Sequence, residues 1–118
     1  MKKIYIAIPY SKVDKDHSFE TANQVSAYYI RQGCCVYSPI TDGHVLKRYG
    51  LPDDWEFWGK FDREFIKWCD EIVVCMINGW EQSTGVKAEI EFARQLGKSI
   101  RYITSGRILE ISAPNNGC

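Results

Sequence analysis

The sequence predicts an α/β fold: a flavodoxin-like three-layer sandwich, with a parallel sheet held between two layers of helices. Three observations predict it. Short β-rich apolar runs alternate with segments of helical spacing along the chain. The strand-like runs are near-continuously apolar, as strands covered on both faces must be. The 118 residues, 45% apolar and 14% aromatic, are enough for one buried core and one domain, residues 1–118. Right-handed crossovers then order the strands 2-1-3-4, with an optional fifth.

Each element has a local reason. KIYIAI (3–8) is a β-rich run that stops at Pro9. From about Asp16 to Gln32 the spacing is helical: Ala22, Val25, Ser26, Tyr29 and Ile30 share one face, and Gly33 sits where a C-cap is expected. CCVYS (34–38) is the second strand and ends at Pro39. Residues 39–53, PITDGHVLKRYGLPD, are rich in Pro, Gly and Asp and read as a long loop. Its length marks it as functional. A helix from about Asp54 to Trp68 precedes strand EIVVCMI (71–77). After NGWEQST comes a helix from about Gly85 to Leu96, closed by Gly97, and then strand KSIRYI (98–103). RILEIS (107–112) reads as the optional fifth strand, and the stretch from 104 to 118, ending PNNGC, as a partly ordered tail.

Charge narrows the function classes. Fifteen basic and fifteen acidic residues give a net charge of zero. A protein that grips polymeric nucleic acid by neutralising phosphates carries a basic excess, and this one does not. No apolar run approaches the roughly 20 residues needed to cross a bilayer, and no signal peptide precedes the first strand. The expectation is a cytoplasmic protein without a membrane or nucleic-acid partner. Five cysteines without a CxxC pair, and only two histidines, argue against a zinc site or a disulfide framework. Cys34, Cys35 and Cys75 fall in strands expected to be buried, where a reduced thiol packs as a small apolar group.

In an open parallel sheet, ligands bind beyond the carboxyl ends of the strands. Three segments converge there: PYSK (9–12), PITDGH (39–44) and NGWEQSTGVKAE (78–89). No dinucleotide glycine fingerprint and no GxxxxGK[ST] loop occurs, which removes support for hydride transfer and triphosphate hydrolysis. In STGVKAEIEFA (83–93), Val86, Ile90 and Ala93 form the stripe that packs on the sheet. Lys87, Glu91 and Arg94 lie on the wet face, and Glu89 borders the stripe. Ser83, Thr84 and Gly85 begin the helix, where free N–H groups favour an anion. Spacing alone leaves two readings open: a helix cap followed by a solvated glutamate, or an anion site beside a nucleophile.

IYIAIPYS, the D-x7-D of DREFIKWCD (62–70), S-x-G-V-x-x-E at 83–89 and A-x-x-x-G-K at 93–98 together resemble the nucleoside 2-deoxyribosyltransferase superfamily. That superfamily includes 2′-deoxynucleoside 5′-monophosphate N-glycosidases. The phrases SPI, DWEFW, CDEIVV and GWEQSTGVKAEIEFA resemble a small phage and bacterial branch of it. The likeness spans residues 3–103.

The resemblance implies cleavage or transfer of the N-glycosidic bond of a 2′-deoxynucleoside or its 5′-monophosphate. Glu89 takes the place of the nucleophile that attacks C1′ and forms a glycosyl ester. Asp62 takes that of the acid that contacts the base and delivers a proton to the departing nitrogen. Without the resemblance, Asp62 is one of seven acids against three bases in residues 53–71, a solvated face. Ser83 with the Gly85 backbone is the implied 5′ anchor. A serine there suits a phosphate dianion, whereas the aspartate typical of the transferases repels it. The first loop, PYSK, departs from the Gly/Ser/Arg-rich loop of the monophosphate enzymes, leaving Ser11 and Lys12 to assist. Tyr10 matches an aromatic that stacks on the base, beside a second reading as a core or rim tyrosine. His44 is open between base contact and loop hydrogen bonding. Trp55 and Trp58, three apart on a helix, read first as packing and second as pocket wall. The resemblance implies no metal or organic cofactor, a small-molecule nucleoside or nucleotide partner, and a homodimer or higher homo-oligomer. Two alternatives remain open: a non-catalytic nucleotide-binding module, and a ribonucleotide or NAD glycohydrolase.

Overall fold

The computed structural model describes residues 1–112. In chain order the elements are β1 (Lys3–Ala7), α1 (Lys15–Arg31), β2 (Cys35–Tyr37), α2 (Pro39–Leu46), α3 (Trp55–Trp68), β3 (Glu71–Met76), α4 (Thr84–Gln95), β4 (Ser99–Thr104) and α5 (Ser105–Ser112). Short 3-10 turns lie at Lys47–Tyr49 and Trp80–Gln82. The four strands form one parallel sheet in the order β2-β1-β3-β4. Fold class and strand order are as the alternation predicts.

The two-residue period of the strands divides the core into two. Ile4 and Ile6 of β1 and Ile8 just beyond it, with Val73, Cys75 and Ile77, pack beneath Ala22 and Val25 of α1 and Ile108 and Ile111 of α5. Tyr5 and Ala7, with Ile72 and Val74, face the other way, beneath Ile66 of α3 and Val86 and Ala93 of α4. Helix ends are fixed by local chemistry. Asp14, Asp54 and Ser83 cap α1, α3 and α4 by accepting the amides of His17, Phe57 and Val86, each cap being worth about 1 kcal/mol. Gly33 at φ 87° and Gly97 at φ 70° close α1 and α4. Their N–H groups bond to Ile30 and Arg94, and the following residues, Cys34 and Lys98, bond to Tyr29 and Ala93. This is the left-handed helix stop that glycine adopts without steric cost.

The structure corrects four expectations. The first half of the supposed loop 39–53 is α2, continued by a 3-10 turn. Pro39 does not break this helix because it stands at the N-terminus, where no N–H is needed. Thr41 further ties α2 down, its hydroxyl lying 2.7 Å from Asn23 Oδ1 of α1 and 2.8 Å from Ser38 Oγ. RILEIS is not a fifth strand: it lies in α5, which buries Ile108 and Ile111 at helical spacing. Cys35 is exposed and Cys34 only half-buried, because β2 is a three-residue edge strand. Ile30 is 57% exposed, outside the stripe of α1. The PNNGC tail, and Cys118 with it, lies outside the described residues.

Candidate active site

Two helices deliver two acids to one place. In α3 the buried positions are Gly59, Asp62 and Ile66, three and four apart. In α4 they are Val86, Glu89 and Ala93, at the same spacing. Each carboxylate thus sits inside an apolar stripe, carried into the interior by its neighbours' burial. This corrects the placement of Glu89 at the border of the stripe, while Lys87, Glu91 and Arg94 are exposed as expected. Asp62 is 6% and Glu89 5% exposed, so the reading of Asp62 as part of a solvated face fails. Both helices cover the face of the sheet into which Tyr5 projects, and the Tyr5 hydroxyl donates to Glu89 Oε2.

Burial makes ionisation costly for both acids. Desolvation pushes the Asp62 carboxyl up to about 7, opposed by a hydrogen bond from Tyr5. Glu89 is raised well above the usual carboxylate range, by burial first and then by the charge of Asp62, with Tyr5 again opposing. Tyr5 is itself raised by burial and by Glu89, so it remains a donor. Burial thus favours the protonated form of each acid, and the charge of Asp62 adds to that at Glu89. The Tyr5 hydroxyl favours the anion at Glu89. Asp62 Oδ1 is buried without a hydrogen-bond partner among the described residues. That oxygen leaves the Asp62 carboxyl an unfilled direction for a hydrogen bond.

These acids line one cavity at the carboxyl ends of the strands, together with Tyr10, His44, Ser83 and Gly85. Trp55 and Trp58 also line it, so both are pocket wall. Trp55 lies close against two glycines: a Cβ at Gly59 would stand 2.8 Å from its Cε2, and one at Gly85 would stand 3.6 Å from its Cε3. The Trp58 indole donates to the Pro52 carbonyl at 2.6 Å. Tyr10 is buried, and its hydroxyl lies 2.7 Å from His44 Nδ1. The His44 ring stacks on Phe19 at 4.3 Å, and its Nε2 is 3.4 Å from Asp16. His44 therefore both hydrogen-bonds within the scaffold and borders the cavity. Ser83 Oγ accepts the Val86 amide at 3.2 Å, so that N–H is occupied. The amides of Thr84 and Gly85 begin the helix and have no intrahelical acceptor.

Sequence reasoning missed Tyr5. The available signal was a tyrosine in the middle of an apolar strand, whose hydroxyl needs a partner once buried. Among the described residues no group of three or more His, Cys, Asp or Glu is placed to hold a metal, and no helix is long and apolar enough to cross a membrane.

The fold and cavity define a flavodoxin-like α/β protein with a buried acid pair at the ligand edge of its sheet. Its fold is that of the nucleoside 2-deoxyribosyltransferases. A 2-deoxyribosyltransferase from the psychrotolerant bacterium Bacillus psychrosaccharolyticus superposes with a TM-score of 0.62 and 24% identity, over 86% of this chain and 72% of that one. The chain belongs to the family described as "Domain of unknown function (DUF1937)", whose model matches residues 2–104. Among curated proteins, none matches it.

Proposed function

We propose that the protein cleaves or transfers the N-glycosidic bond of a 2′-deoxynucleoside 5′-monophosphate. The observation that carries this reading is the buried Glu89–Tyr5–Asp62 arrangement opening into an aromatic-walled cavity. Glu89, whose anion the Tyr5 hydroxyl favours, attacks C1′ as the bond to the base nitrogen breaks. Asp62 gives its proton to that nitrogen, so a neutral base leaves and a glycosyl ester remains. Water, or a second base, then attacks C1′, surrenders a proton to the Asp62 carboxylate and releases Glu89. The transition state is oxocarbenium-like, and the Glu89 carboxylate beside it acts in a water-poor site where charge is little screened.

At the 5′ end, the Ser83 hydroxyl proton and the Thr84 and Gly85 amides are donors suited to a phosphate. Each charge-assisted bond contributes about 1.5–3 kcal/mol before desolvation. A 5′-hydroxyl uses fewer of them. Tyr10, Trp55 and Trp58 bound the base, with His44 beside Tyr10.

The test incubates pure protein with deoxynucleosides, their monophosphates and the matching ribonucleotides, and measures free base by chromatography. Base release by the wild type and none by Glu89→Gln is the expected result. A covalent adduct of one deoxyribosyl phosphate on the intact mass is expected for a fluorinated substrate analogue. No release from any member of the panel overturns the catalytic reading in favour of a nucleotide-binding module.

A further inference from the structure

The cavity does not end at Ser83. A second cleft shares Tyr10, Asp54, Trp55 and Ser83 with the first and runs on past the start of α4 to Lys12, Arg63 and Thr84. Its floor is firm. Val13, after the first strand, seats against Gly79, after the third: a Cβ at Gly79 would stand 2.7 Å from Val13 Cγ1, and its φ is 92°. Two loops at the ligand edge are thereby locked together at a position that only glycine fits.

Arg63 is the unusual member of this cleft. Arg94, Arg101 and Arg107 each have a carboxylate partner, and Arg31 and Arg48, which have none among the described residues, are exposed. Arg63 is half-buried, and none of the ion pairs formed among the described residues includes it. Its guanidinium instead lies over two aromatic faces, 5.3 Å from the Trp55 ring and 5.9 Å from the Phe92 ring. Such stacking fixes the plane of the fork and leaves its N–H donors at the edge, an arrangement that suits phosphate oxygens. Lys12 adds an exposed charge at the same cleft. The acids there compete weakly: Asp54 is occupied in capping α3, and Glu56 is exposed, where water screens it.

We infer that the 5′ end of the ligand carries two phosphates, the first on Ser83, Thr84 and Gly85 and the second on Lys12 and Arg63, so that the preferred ligand class is a deoxynucleoside 5′-diphosphate. This extends the proposed substrate from the monophosphate to the diphosphate and rests on the assignment of the 5′ end to Ser83. A single phosphate at the start of α4 leaves the cationic half of the cleft unused.

Titration calorimetry tests it, with the deoxynucleoside mono-, di- and triphosphate of one base on the Glu89→Gln protein, from which the proposed nucleophile is removed. The diphosphate is expected to bind about tenfold more tightly than the monophosphate. In an added Arg63→Gln background that gap should shrink to about twofold, with monophosphate affinity little changed. Arg63→Lys should restore part of it, since the charge returns without the fork. Lys12→Ala, at an exposed site that folding does not depend on, should shrink the gap as well, and circular dichroism checks that each variant is folded. Equal or weaker binding of the diphosphate, binding of none of the three, or a gap that survives both Arg63→Gln and Lys12→Ala overturns the inference. The free-base assay reports separately on the catalytic reading. Diphosphate preference without base release overturns catalysis alone, and base release without diphosphate preference overturns this inference alone.

Discussion

Replacing Asp62 by Asn keeps the shape of the side chain and removes its titration, which turns the burial of this acid into a measurable pH dependence of stability. In the unfolded chain the carboxyl loses its proton near its ordinary value of 3.8, while in the fold it holds the proton until about 7. Between those values the folded state binds the extra proton, so the stability Asp62 confers is fully present below about pH 4 and is lost as pH rises through about 7. Three pH units at about 1.4 kcal/mol each give a loss of about 4 kcal/mol, an upper bound because Asp62 lines a cavity rather than sitting in a sealed core. At about 4 °C per kcal/mol, the wild type should lose about 8–16 °C of Tm relative to Asp62→Asn between pH 4 and pH 8. Thermal melts of both proteins by circular dichroism across that range, in buffers of one ionic strength, measure the difference. Base release by the wild type should fall on the alkaline side of about 7, where Asp62 has no proton to give. A Tm difference that stays flat from pH 4 to pH 8 refutes the reasoning. It would mean that Asp62 ionises freely and that its burial is relieved by water.

Tyr5→Phe removes the donor to Glu89 without opening a cavity, so base release should fall about 10–100-fold. The acid limb of its pH profile should also move upward, since the Glu89 anion loses support; an unchanged profile would deny Tyr5 that role. Ser83→Asp keeps a good helix cap, so Tm should change little. Its charge should shift kcat/KM from the monophosphate towards the nucleoside, and a variant that still favours the monophosphate would return Ser83 to capping alone. Gly59→Ala puts a Cβ 2.8 Å from Trp55 Cε2. Tryptophan fluorescence should shift and KM rise several-fold, although the same change in an open helix gains about 1 kcal/mol.

Much of the site was legible along the chain. The family resemblance carried by D-x7-D and S-x-G-V-x-x-E marked Asp62, Ser83, Gly85 and Glu89, and all four line one cavity with Tyr10 and His44. The reason is that a parallel sheet brings every strand-to-helix connection to one edge, so segments far apart in sequence converge without needing contacts that the sequence must spell out. What the chain by itself determined is therefore local or periodic: the four strands, the helix starts at Asp54 and Ser83, the glycine stops at Gly33 and Gly97, and the strand order that handedness imposes. Helical spacing could have moved RILEIS from strand to helix, but in six residues the periods of two and of 3.6 are hard to separate, and contact with α1 decided it. Pro39 shows the same limit, since a proline that ends a strand can also begin a helix. Tertiary structure alone decided the electrostatics. Whether Glu89 borders its stripe or lies within it depends on what covers the helix. Whether Asp62 is solvated or keeps its proton to about 7 depends on α3 lying beside α4 over Tyr5. A carboxyl's affinity for its proton is set by the dielectric and the charges around it, and those come from chains of residues that only folding brings together.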